Sequence, residues 1–190
     1  LTDGVCAYLK DFGAATASNG SVGLYHIENL TPEAKEQGEA LIKEDAQVYV
    51  IDDAELERVK ASYPIIWKNK DAKPELCFIG CPHMSVQQLK DWTDAIEEKL
   101  RANGLSKVTV PTVFTAAPAV IKALEGTVYL DKLATYGVVV SYICPLMYMN
   151  NPLCKKKAVI TCSNKLRTYT SARYYTEAEI LDIITGKEGK

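Results

Sequence analysis

The 190 residues predict an α/β fold with a mainly parallel sheet flanked by helices. Three observations lead there. Short, β-branched runs bounded by turn residues alternate with helical patterns along the chain. The runs are continuously apolar rather than alternating, as strands buried on both faces are. The intervening helical segments are long enough for right-handed crossovers between parallel neighbours. With 47% apolar and 24% charged residues, the composition supports a buried core and excludes a disordered or fibrous chain.

Taken in order, residues 1–12 read as a helix. The small-residue stretch 13–21 lacks the glycine spacing of a phosphate-binding fingerprint and reads as close packing or a substrate-facing loop. Thr31 precedes Pro32 as an N-cap precedes a first helical position, opening a helix towards Ile42. A strand at 47–51 follows, then a helix capped at Asp52-Asp53 and running to about Ser62. The segment 76–80 is the next strand. The clearest helix spans 85–101: Val86, Leu89, Trp92, Ile96 and Leu100 recur at helical spacing, Ser85 and Gln88 form a capping box, and Asn103-Gly104 stops it. Strands are expected at 107–113, 137–143 and 158–162, and helices at 116–125, 128–136 and 177–185. The tail 186–190 is expected to fray. No repeat or internal linker interrupts the pattern, so a single α/β domain over 1–190 is expected.

Charge and cysteine usage narrow the function. Lys and Arg number 22 against 24 Asp and Glu, a net −2, which gives no global field for nucleic acid or an anionic membrane. Any anion site must be local. No apolar run approaches the ~20 residues of a membrane span, so a soluble, cytoplasmic protein is expected. Six cysteines without a C-x-x-C pair and without a secretory pattern argue for reduced thiols, metal ligands or core residues. Cys6, Cys77 and Cys154 sit in settings that suit buried structural thiols. The chain opens on Leu1 within a helical pattern, which reads as a piece of something longer.

Ligand sites in parallel α/β sheets gather at the carboxyl ends of strands. Three such ends carry chemistry. Gly80-Cys81-Pro82-His83 follows a strand and precedes the best helix, so Cys81 would project near helix amides, suited to metal ligation or nucleophilic attack. A buried turn cysteine with a backbone-bonded histidine is the plain alternative. Cys144-Pro145 ends a second strand, and two such thiols could converge above the sheet. Two thiolates do not complete an iron–sulfur site, which usually takes three or four. At the third end, Cys162, Ser163, Asn164, Lys165 and Arg167 could hold a carboxylate or phosphate, or form a solvated loop with a helix cap. Lys155-Lys156-Lys157 just upstream reads as a solvated charge run. His83, two residues beyond Cys81, reads as a ligand neighbour, a proton carrier or a substrate contact, and is favoured over His26 as the partner in any Cys–His pair.

Several blocks occur in an order that resembles a known family: Phe12-Gly13-Ala14-Ala15 with Ser18, Gly20, Val22 and Tyr25-His26; Leu30-Thr31-Pro32-Glu33-Ala34; Gly80-Cys81-Pro82-His83-Met84-Ser85; and Thr161-x-Ser163-x-Lys165. The chain resembles the later half of the large-subunit region of the aconitase X family. The resemblance implies an aconitase-like domain in a hydro-lyase acting on a small hydroxy acid, with a small swivelling domain or subunit as partner. It implies an iron–sulfur cluster held by three cysteines, of which Cys81 and Cys144 match two. The third belongs to a Thr-Cys-Ala-Pro-Tyr-like element absent from this sequence, expected in a missing amino-terminal half. Ser163, Lys165 and His26 become expected substrate contacts, and His83 an expected catalytic group.

Two departures stand out. Tyr142-Ile143 precedes Cys144 where the family typically has Asp-Thr, and Cys162 stands where it has Asn. They leave open a non-catalytic α/β interaction domain that has lost cluster and activity. A metal-free thiol enzyme built on Cys81 and His83 lacks an orienting third group. On the leading reading, two ligands and no swivelling domain leave this piece inactive alone.

Overall fold

The structure, a computed structural model, describes residues 2–186. Leu1 and residues 187–190, most of the tail expected to fray, lie outside them. The helices are α1 (Asp3–Gly20), α2 (Pro32–Gln37), α3 (Asp53–Ala61), α4 (Val86–Ala102), α5 (Pro118–Leu124), α6 (Val128–Thr135), α7 (Pro145–Met149), α8 (Asn164–Tyr169) and α9 (Glu177–Ile184). The strands are β1 (Leu76–Met84), β2 (Thr112–Ala116), β3 (Val138–Ser141), β4 (Val159–Thr161) and β5 (Arg173–Tyr174). The backbone gathers into two compact units: the chain up to Ser21 together with the chain from Ile65 onward, and Val22–Pro64.

In the larger unit all five strands run parallel in the order β3-β2-β1-β4-β5. The chain steps outward from β1 to β3, then returns to lay β4 and β5 on the other side of β1. Connections therefore diverge at the β1–β4 boundary, the place where open α/β sheets form a crevice.

Alternation along β1 feeds two cores. Cys77 and Ile79 pack with Phe114 and Ile160 beneath Leu89, Ile96 and Leu100 of α4, Leu124, Leu133, Ile180 and Ile184. Phe78 and Val159 face the other layer, with Met149 of α7 and Leu166 of α8, and Phe78 stacks on Tyr148 at 5.4 Å. Each fully buried Leu, Ile or Phe contributes on the order of 1.5–3 kcal/mol. The strands read as continuous apolar runs because both faces are covered.

Helix α4 starts as expected. Ser85 Oγ accepts from the Gln88 N–H at 3.1 Å, and Gln88 Oε1 accepts from the Ser85 N–H at 3.0 Å. Other expectations are corrected. The stretch 13–21 is not a loop: it is the second half of α1 as far as Gly20, its small side chains allowing close packing on α8. Asn19 Oδ1 there accepts from Arg167 Nη2 at 2.6 Å and from Thr168 Oγ1 at 2.7 Å. The strand expected at 107–113 begins only at Thr112. Pro111 has no N–H, and the Val108 and Thr109 amides donate outside the ladder to Tyr136 and Ile184. The short α7, α8 and β5 had no periodicity to announce them.

The smaller unit holds α2, a 3₁₀ turn at Gly38–Leu41, and α3. Among its described residues there is no strand: 47–51 is irregular and pairs with no other strand, with Val48 90% exposed, so the expected strand is absent. Asp52 caps α3 as read, accepting from the Glu55 N–H at 2.8 Å. Thr31 occupies the N-cap position of α2, yet its hydroxyl accepts from the Ile27 N–H at 3.0 Å instead of a helix amide.

Candidate active site

The turn that carries Cys81 is made by a mismatch in strand length. Ile79 pairs with Phe114 and Met84 with Ala116, so Gly80, Cys81, Pro82 and His83 stand against Thr115 alone. The surplus leaves the ladder as a bulge. Gly80 permits it: its φ is +106°, and a Cβ there would lie 2.7 Å from Thr115 Oγ1 and closer still to the Thr115 carbonyl oxygen. Thr115 Oγ1 donates to the Gly80 carbonyl at 2.5 Å, and the Cys81–Pro82 peptide is cis.

The end of β4 is tied to this turn. Ser163 is the N-cap of α8, its Oγ accepting from the Leu166 N–H at 3.0 Å. The same hydroxyl donates to the Cys81 carbonyl. One side chain thus joins the turns on both sides of the crossover.

Above them lies a cleft of about 390 Å³. Tyr8, Asp11, Phe12 and Ala15 of α1 form one wall. Gly80, Cys81, Pro82 and Met84, with Gln88 and Trp92 of α4, form the floor and a second wall, and Cys162, Ser163, Asn164, Lys165, Tyr174 and Glu177 close it. Gln88 braces α1 against the α4 cap: its Nε2 donates to Asp11 Oδ2 and its Oε1 accepts from Lys10 Nζ, both at 2.8 Å.

Electrostatics are mixed. Burial pushes the Cys81 thiol up, chiefly, while a hydrogen bond with Ser163 and the Lys165 ammonium act against that rise. The expected ready thiolate beside helix amides is therefore not what the surroundings favour. Burial also drives Cys162 well above the thiol range, with Glu177 adding to the effect. Glu177 is raised by burial and then by the carboxylates of Asp11 and Asp91. His83 is lowered by burial and by the Lys10 ammonium.

Of the residues expected from the sequence, Cys81, Ser163 and Lys165 meet in this cleft. The Lys165 ammonium forms no hydrogen bond or ion pair among the described residues. Cys144, the N-cap residue of α7, is not in the lining, although it adds to the upward push on the Cys81 thiol. His83 is also outside the lining. Its carbonyl accepts from Lys10 Nζ, and its buried Nε2 has no partner among the described residues. His26 belongs to the smaller unit, its Nδ1 4.0 Å from Glu33 Oε2. The sequence reading missed Asp11, Gln88 and Glu177 as cleft residues. Gln88 carried a capping signal only, and nothing marked Asp11.

Among the described residues no group of three or more His, Cys, Asp or Glu could hold a metal ion. Cys81 and Cys144 are two soft sulfur donors, and Cys144 is near enough to add to the upward push on the Cys81 thiol. They fit a share of an iron–sulfur site, which takes further thiolates to complete.

A parallel sheet with a thiol-bearing cleft at its crossover defines an α/β domain of the ligand-binding kind. The model of the aconitase X third domain matches residues 74–183, and that of the aconitase X second domain matches residues 5–61. The chain belongs to the aconitase X family. It is 32% identical over 130 residues to the phosphomevalonate dehydratase large subunit of Thermococcus kodakarensis, covering 68% of this chain and 30% of that one. To the corresponding subunit of Methanosarcina mazei it is 35% identical over 91 residues, 48% of this chain and 20% of that one. The crystal structure of Thermococcus kodakaraensis aconitase X in its holo-form superposes with a TM-score of 0.72 at 26% identity, covering 96% of this chain and 44% of that chain. The chain thus spans less than a third of the curated relatives quoted. No helix among the described residues is long and apolar enough to cross a membrane.

Proposed function

We propose that this chain is the carboxyl-terminal α/β part of the large subunit of a hydro-lyase that dehydrates a small hydroxy acid. The observation that carries the reading is the cleft itself, in which Cys81 and the unpaired Lys165 face one space at the sheet crossover. Membership of the aconitase X family and likeness to phosphomevalonate dehydratase large subunits support it. Cys81 and Cys144 would hold an iron–sulfur cluster together with a third cysteine outside this chain. When bound, such a cluster supplies a Lewis acid for the leaving hydroxyl.

The chain's own residues do the rest. Lys165 binds the carboxylate or phosphate of the substrate as a point charge. Ser163 is the second expected substrate contact, but its hydroxyl already donates to the Cys81 carbonyl and caps α8, which makes it a positioning residue. His83 is assigned the same kind of role through the turn it shares with Cys81, and His26 is retained as a substrate contact. The remaining partners are the missing amino-terminal half of the large subunit and a small swivelling domain or subunit; nucleic acid and membrane have no part. Without these partners the chain is inactive. A cytoplasmic setting agrees with the six free thiols.

One observation favours a second reading, a non-catalytic interaction domain: Tyr142, in place of a family aspartate, is 63% exposed before Cys144. One assay separates the two. The whole protein, purified anaerobically with its small partner, is offered small hydroxy acids, including phosphorylated ones, and formation of the unsaturated product is followed by ultraviolet absorbance. Product formation that disappears in Lys165→Gln supports the hydro-lyase. Absence of product, from a protein that also holds no iron or acid-labile sulfide, supports the interaction domain.

A further inference from the structure

A second concavity lies at the opposite end of the sheet from the Cys81 cleft, and nothing in the proposed reaction uses it. It measures about 630 Å³ and is bordered by Lys68, Lys155, Lys156 and Lys157. The run that reads in the sequence as a solvated charge tract is therefore brought against a fourth lysine 87 residues away from the nearest of the three. None of the four ammonium groups forms an ion pair or hydrogen bond among the described residues. Glu75 is the one carboxylate in the lining, and its Oε2 is committed to the Ala158 N–H at 2.8 Å, which joins the starts of β1 and β4.

Trp67 is the second, independent observation. Its side chain also lines the concavity and is only 7% exposed, yet its Nε1–H has no acceptor among the described residues. A buried donor without a partner is costly, and a ligand oxygen brought to it would satisfy it. The Arg173 guanidinium lies over the Trp67 ring at 5.5 Å and adds positive charge behind it. Four ammonium groups against one carboxylate leave a local excess of three positive charges in a chain whose net charge is −2. A concavity of that kind concentrates small anions of high charge. A single phosphate would fill little of the space, and the apolar side chains of Ile66 and Ala72 offer a seat for an organic portion.

We infer that this concavity is a binding site for a small polyphosphorylated anion, remote from the catalytic cleft. Lys155, Lys156, Lys157 and Lys68 neutralise the phosphoryl groups, and Trp67 Nε1 donates to one of their oxygens.

The test is calorimetric titration of inorganic pyrophosphate, and separately of ATP, into the whole protein with its partner at about 0.15 M salt. Saturable binding with a Kd below about 1 mM is expected. It should weaken at least tenfold in the triple variant K155Q/K156Q/K157Q and stay unchanged in K165Q. Residue-specific acetylation read by mass spectrometry should show Lys155, Lys156 and Lys157 protected by pyrophosphate. Trp67→Phe, checked for an unchanged melting curve, should weaken binding several-fold. Binding that survives in the triple variant overturns the inference. So does binding lost in K165Q, or heat reproduced by sulfate at equal ionic strength.

Discussion

Ser163 Oγ donates its proton to the backbone carbonyl of Cys81, bridging residues 82 apart in sequence, while it accepts from the Leu166 N–H. A single hydroxyl thereby fixes the start of α8 and the turn that carries the candidate ligand. The relationship makes Ser163 a structural link between the two turns.

Ser163→Ala removes both bonds and leaves the Cys81 carbonyl without this partner. We expect a loss of about 1–3 kcal/mol in unfolding free energy, the sum of a lost cap and a lost buried hydrogen bond. Urea unfolding of the two proteins measures it. Ser163→Thr, which retains the hydroxyl, should recover most of the difference.

Gly80→Ala should be worse. The new Cβ meets Thr115 on the neighbouring strand at a φ of +106°, where side chains are strained. A cost above about 2 kcal/mol is expected, since backbone, not a flexible side chain, stands in the way. Removing the Thr115 hydroxyl alone should not relieve it, because the Thr115 carbonyl oxygen remains; relief in Gly80→Ala with Thr115→Val would contradict the clash described.

Gln88→Ala tests how α1 is held. Gln88 closes the α4 cap and reaches Asp11 and Lys10 with both ends of its amide. Its loss should cost about 1–2 kcal/mol. It should also speed hydrogen exchange in α1 more than in α9; equal changes in both would show that the brace is not local.

The pH dependence at the alkaline side follows from two thiols, the buried Cys77 and the partly buried Cys162. Cys77 and Cys162 are raised above the ordinary thiol range, in both cases by burial first. The unfolded chain therefore loses these protons before the folded one does. Stability is complete below the unfolded value and falls as pH rises from about 8.5 towards the folded values. Cys162→Ala should flatten that fall in unfolding free energy between about pH 8 and pH 10.

Much of this was legible in the sequence wherever local chemistry and tertiary packing agree. The 85–101 helix, its cap and its stop are all carried by nearest neighbours, and β1 and β4 are apolar because both faces are buried. Legibility fails where a distant partner decides. Nothing near Gly13 shows that the small residues face α8, and nothing near Pro111 shows that Val108 and Thr109 donate outside the sheet. At the site, glycine, cysteine and proline announced the Cys81 turn. The engagement of Ser163, the withdrawal of His83 from the lining and the arrival of Glu177 depend on contacts made across the fold. The paired strand expected at 47–51 rested on β-branched composition alone, and no partner strand stands beside it in its unit.

The central claim is that Cys81 and Cys144 are ligands of a cluster completed from outside this chain. Iron and acid-labile sulfide in the anaerobically purified whole protein, compared with Cys81→Ser, Cys144→Ser and Cys154→Ser, test it most directly. Loss of most iron and sulfide in the first two variants, with Cys154→Ser unchanged, is the predicted result. Full iron and sulfide retained in Cys81→Ser and Cys144→Ser would contradict the account.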